Sequence, residues 1–143
     1  MSAGRASAHV APLAALAAAD ERRFGGKSTS LGALIAAEIP VPPGFAVATS
    51  AFEEFLTGDG LAERVDEALA GLDVEDVEAL ASVSRTVVAA MRATPVPAGV
   101  RDELQQAYAE LAAQAGEAAP PVAVRSSARG EDSADATFAG QQE

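Results

Sequence analysis

The chain has no cysteine and no tryptophan, and only one histidine and one tyrosine among its 143 residues. Without cysteine there is no disulfide scaffold, no thiol nucleophile and no cysteine-based zinc site. A lone His9 cannot build a histidine-rich metal site either. Aromatic residues are scarce at 4%, which argues against an all-β sandwich. Positive charge is also scarce: 10 Lys and Arg stand against 21 Asp and Glu, a net charge of −11. Such a chain repels phosphate backbones at long range, so general nucleic-acid binding is excluded. Any nucleotide must be gripped locally, by a few cations and backbone N–H groups. No uncharged apolar run approaches the roughly 18 residues of a membrane span. Ala11 to Ala19 faintly resembles a signal-peptide core, but only Arg5 precedes it and no clear cleavage site follows. A short helix or a flexible leader over 1–23 is expected instead, in a cytoplasmic protein.

Alanine is abundant, with 36 residues, and apolar residues make up 49%. That combination suits closely packed helices and does not fit disorder. Helices are expected over 11–23, 30–38, 51–57, 61–70, 75–92 and 99–115. Ser28-Thr29-Ser30 offers N-caps for the second, and Ser50 with Glu53 forms a capping box for the third. In the last two, Val77, Leu80, Val83, Val87 and Met91, then Val100, Leu104, Ala107, Tyr108 and Leu111, recur at helical spacing. Gly44 to Thr49 and Val122-Ala123-Val124 read as short buried strands. The fold class is therefore α+β, mostly helical. A motif-bearing segment lies against the last residue, so the chain is expected to be a fragment.

Three segments could carry chemistry. Gly25-Gly26-Lys27-Ser28 resembles the tail of a phosphate-binding P-loop, but Glu21 stands where the first glycine belongs and no strand precedes it. Two glycines, a following helix and the Lys27 ammonium still suit a phosphate; the plain alternative is a turn with an exposed lysine. Arg125, after Val122-Ala123-Val124 and before Ser126-Ser127, offers a planar fork of donors; the alternative is a structural arginine paired with Glu131 or Asp132. Asp135 to Gln141, with Thr137 and Gly140, suits a loop over phosphates, or an ordinary turn. His9 reads as a leader residue, and Glu131 and Asp132 as a solvated pair.

Taken together, GGKSTSLGAL with PVPPGFAVATSAFEEFL, then VAVRSSARGEDS, then ATFAGQQE resemble the N-terminal ATP-binding domain of the phosphoenolpyruvate synthase and pyruvate phosphate dikinase family. The resemblance runs from about Phe24 to Glu143. It implies residues 24–143 as a partial, ATP-grasp-like nucleotide domain of an ATP-dependent phosphotransferase. In that family ATP phosphorylates a histidine on a swivelling domain, which passes the group to pyruvate. Lys27 and Arg125 match phosphate-binding positions and Gly140 lies in the covering loop; Ser127 and Thr137 sit within the motifs and are carried over less firmly. Mg²⁺ is implied, with its ligands and the carrier histidine expected beyond residue 143, so the fragment alone is expected to be inactive. Two alternatives remain: a rifampicin-type antibiotic phosphotransferase sharing this ATP domain, and a non-catalytic remnant or binding module.

Overall fold

A computed structural model describes residues 9–126. The expected positions Ser127, Thr137 and Gly140, and the Glu131–Asp132 pair, lie outside the described residues. The chain divides into two compact units, one holding residues 1–51 and 99–143, the other residues 52–98.

The first unit begins where a helix was expected. Strand β1 (Val10–Pro12) pairs antiparallel with β2 (Phe45–Val47), with Val10 opposite Val47, Ala11 opposite Ala46 and Pro12 opposite Phe45. Proline has no N–H for a ladder, and the chain leaves the strand there for two 3₁₀ turns, Leu13–Ala15 and Ala18–Asp20. The four-residue helix α1 (Glu21–Phe24) follows. The short helix expected over 11–23 is thus corrected. Alanine favours helix locally, but Ala11, Leu13 and Leu16 bury into one cluster with Phe24, Ala46 and Ala48. Nor is the described part of 1–23 a loose leader, since it supplies half of this core.

Helix α2 (Gly26–Ala36) lays Leu31 and Ile35 on the cluster. It starts at Gly26 rather than near 30, so Ser28, Thr29 and Ser30 lie inside its first turns and none is the N-cap. Its end is set before the prolines. Glu38 adopts φ 59°, its N–H donates to the Ile35 carbonyl at 3.0 Å, and the Ile39 N–H donates to the Leu34 carbonyl at 3.0 Å. This left-handed closure satisfies the last carbonyls of the helix.

Helix α3 spans Thr49–Thr57. The capping role expected of Ser50 is corrected. The Ala48 carbonyl already accepts the Ala51 N–H at 3.0 Å, and the Ser50 hydroxyl lies 3.1 Å from His9 Nδ1 in a hydrogen bond. Helix α6 (Ala98–Ala115) turns the expected face inward: Val100 is buried, and Leu104, Ala107, Tyr108 and Leu111 are half-buried.

In the second unit, α4 (Leu61–Leu69) and α5 (Val77–Ala93) pack together. Leu61 is fully enclosed. Asp76 caps α5 by accepting the Ala79 N–H at 3.0 Å. Buried Thr94 accepts from the Arg64 guanidinium at 2.9 Å and donates to the Ala90 carbonyl at 2.8 Å.

The buried strand expected at Val122–Val124 is also corrected. The sheet of the described residues has two strands, β1 and β2, and Val124 is 92% exposed. A short apolar run becomes a buried strand only where another strand takes its backbone hydrogen bonds, and none does so here among the described residues. The α+β class stands: helices with a small sheet. No helix among the described residues is long and apolar enough to cross a membrane.

Candidate functional site

The site grows from the junction between α1 and α2. Phe24 is 2% exposed and anchors the end of α1 in the core, with the Arg23 guanidinium 5.0 Å above its ring. Gly25 then takes φ 82°, ψ 157°, a conformation essentially reserved for glycine. This single residue closes α1, its N–H donating to the Glu21 carbonyl at 2.8 Å, and redirects the chain into α2. Lys27 is therefore the second residue of an eleven-residue helix. The first turn of a helix points backbone N–H groups along its axis and carries partial positive charge, so the ammonium and the helix start lie at the same end. Buried Thr29 steadies the turn, its hydroxyl donating to the carbonyls of Gly25 at 3.3 Å and Gly26 at 3.1 Å.

The second cation arrives from the far end of the described chain. Beyond α6, residues 121–126 have no regular secondary structure and are exposed, and Arg125 is one of them. Lys27 Nζ donates to the Ser126 carbonyl at 3.2 Å. That contact spans 99 residues of sequence and sets the backbone next to Arg125 against the start of α2. The structure thus brings the Lys27 and Arg125 segments together. Gly140, Ser127 and Thr137 lie outside the described residues.

His9 was read as a leader residue and is instead a junction. Its backbone N–H donates to Glu103 Oε2 at 2.9 Å while its ring meets Ser50. Those bonds tie the start of β1 to the first turn of α3 and the second turn of α6. Nothing local in the sequence signals this, because both partners are far along the chain. No group of three His, Cys, Asp or Glu that could hold a metal ion occurs among the described residues.

The first unit thus holds a lysine at the start of α2 with the arginine-bearing segment drawn beside it. Residues 21–143 match the family model described as pyruvate phosphate dikinase, AMP/ATP-binding domain, and the chain belongs to that family. It is 46% identical over 128 residues to the phosphoenolpyruvate synthase of Neisseria meningitidis, 87% of this chain and 16% of that protein. It is 42% identical over 139 residues to the Pseudomonas aeruginosa phosphoenolpyruvate synthase, 94% of this chain and 17% of that one. With the Escherichia coli phosphoenolpyruvate synthase it shares 40% over 128 residues, 87% and 16% respectively. The chain therefore spans about one sixth of the length of these curated relatives.

Proposed function

We propose that the chain carries the opening part of an ATP-grasp-like nucleotide domain in a phosphoenolpyruvate synthase-like phosphotransferase, and that Lys27 and Arg125 hold the polyphosphate of ATP. The observation that carries this reading is the bond from Lys27 Nζ to the Ser126 carbonyl, which sets the arginine segment beside the lysine's helix. Phosphoryl transfer asks a nucleotide domain for positioning and charge neutralisation rather than covalent chemistry. Lys27 supplies a compact charge and Arg125 a planar pair of donors, and the α2 N-terminus adds its partial charge.

In the proposed scheme, residues 24–143 serve the nucleotide. Gly140 covers the phosphates, with Ser127 and Thr137 supporting it. The phosphate leaves through a carrier histidine on another domain and reaches pyruvate. The names of the relatives favour pyruvate over an antibiotic as acceptor. No role for Mg²⁺ is assigned to residues 9–126.

The test is a titration of the ¹⁵N-labelled chain with millimolar ATP, followed by NMR. The amides of Gly25, Gly26, Lys27 and Ser28 and those of Arg125 and Ser126 are expected to shift along one isotherm, and adenosine is expected to leave them in place. Shifts confined to one segment, or none at all, would contradict a shared phosphate site.

A further inference from the structure

Arg125 sits on backbone without regular secondary structure, and all of residues 121–126 are exposed. An arginine on such a segment loses affinity to the entropy of ordering unless the backbone is already held. Two hydrogen bonds hold it. Upstream, the Tyr108 hydroxyl donates to the Pro120 carbonyl at 2.8 Å, and Pro120 is itself buried. Downstream, the Ser126 carbonyl accepts from Lys27 Nζ. The five residues between these points form a strap fastened at both ends.

Both fastenings lead back to α2. Tyr108 lies on the inward face of α6, in line with Leu104 and Leu111. Glu103, earlier on the same helix, accepts the His9 N–H, and His9 immediately precedes β1. The turns after β1 pack against α2 where Gly32 approaches the Leu13 and Leu16 carbonyls. The circuit closes through α2, β1, α6, Pro120 and Ser126, all within the first unit.

The downstream fastening is conditional. Its donor is an ammonium whose three N–H groups would be divided between this carbonyl and a phosphate. The upstream one does not depend on the ligand. From this we infer that Tyr108 is a positioning residue: its hydroxyl fixes the strap so that Arg125 meets the phosphate already ordered. The inference rests on the phosphate reading of Lys27 and Arg125 and adds a residue that touches no substrate.

The experiment uses inorganic tripolyphosphate as probe and the full chain. Tyr108→Phe keeps the ring and removes the hydroxyl. It is expected to weaken tripolyphosphate binding about three- to tenfold, to raise amide exchange at residues 122–126, and to leave the exchange of α6 as it was. A side chain that served packing alone would not separate the strap from its helix in this way. Pro120→Gly keeps the accepting carbonyl but frees the backbone of the buried anchor, and is expected to give the same separation should the phenylalanine variant fold poorly. Wild-type affinity in both variants, with binding lost in Arg125→Ala, would overturn the positioning role and leave the phosphate reading standing. Wild-type affinity in Arg125→Ala and Lys27→Ala would overturn the reading itself, and the inference with it.

Discussion

Replacing Gly32 with alanine is expected to destabilise the chain by about 3 kcal/mol, although alanine is the better helix former. A Cβ at this position would stand 2.5 Å from the Leu16 carbonyl oxygen, 2.9 Å from the Leu13 carbonyl oxygen and 3.1 Å from Leu16 Cβ. Two of these neighbours are backbone atoms and cannot rotate away. Either α2 must lift from the 3₁₀ turns or the turns must move, and overpacking of this kind typically costs 1–3 kcal/mol or more. The helix-propensity gain of about 1 kcal/mol is too small to offset it. Gly99 provides the control. It lies in the first turn of α6, and an added Cβ there meets nothing within 4 Å, so Gly99→Ala is expected to be neutral or slightly stabilising. Thermal unfolding checks both. Gly32→Ala should melt about 10 °C below the parent and Gly99→Ala no lower than it; equal melting temperatures for the two would refute the close approach of α2 to the 3₁₀ turns.

Phe24→Ala is expected to cost about 3–5 kcal/mol. Phe24 is the largest member of a cluster otherwise made of Ala11, Leu13, Leu16, Ala46 and Ala48. Alanines have no side-chain freedom with which to fill the space left behind, so the cavity persists and the upper part of the range applies. The loss reaches the site as well, because Phe24 anchors the residue before the Gly25 turn. Phe24→Leu, which restores most of the volume, should recover more than half of the lost stability. Denaturant unfolding measures this directly. A loss below about 1 kcal/mol for Phe24→Ala, less than a third of the expected minimum, would show that the cluster is not the core of this unit.

The parts legible in the sequence were those set by local pattern. The helix α5, the face of α6 carrying Val100, Leu104 and Tyr108, and the helix after Gly60 all follow from spacing and turn residues within a few positions. The parts that were not legible depend on distant partners. β1 exists because Val10 and Ala11 find Val47 and Ala46, and no local feature of an alanine-rich segment announces that pairing. Val122–Val124 shows the reverse: its composition suits a strand, but strand formation depends on a neighbour. Lys27 could be proposed from its glycines and Arg125 from its motif. Tyr108 could not, because its helical spacing marked the ring as packing and gave no sign of where the hydroxyl goes. The Gly32 contact was equally hidden, since a glycine inside a helix reads only as a weak point until the opposing carbonyls are seen.

The most direct measurement for the whole account is the ATP affinity of Lys27→Ala, Arg125→Ala and the double variant. Each single change should weaken binding about tenfold or more, as expected for a charge-assisted contact. The double change should lose less than the product of the two, because cations gripping one polyphosphate are coupled. Full affinity retained in both single variants would mean that folding brings the two segments together for some purpose other than holding ATP.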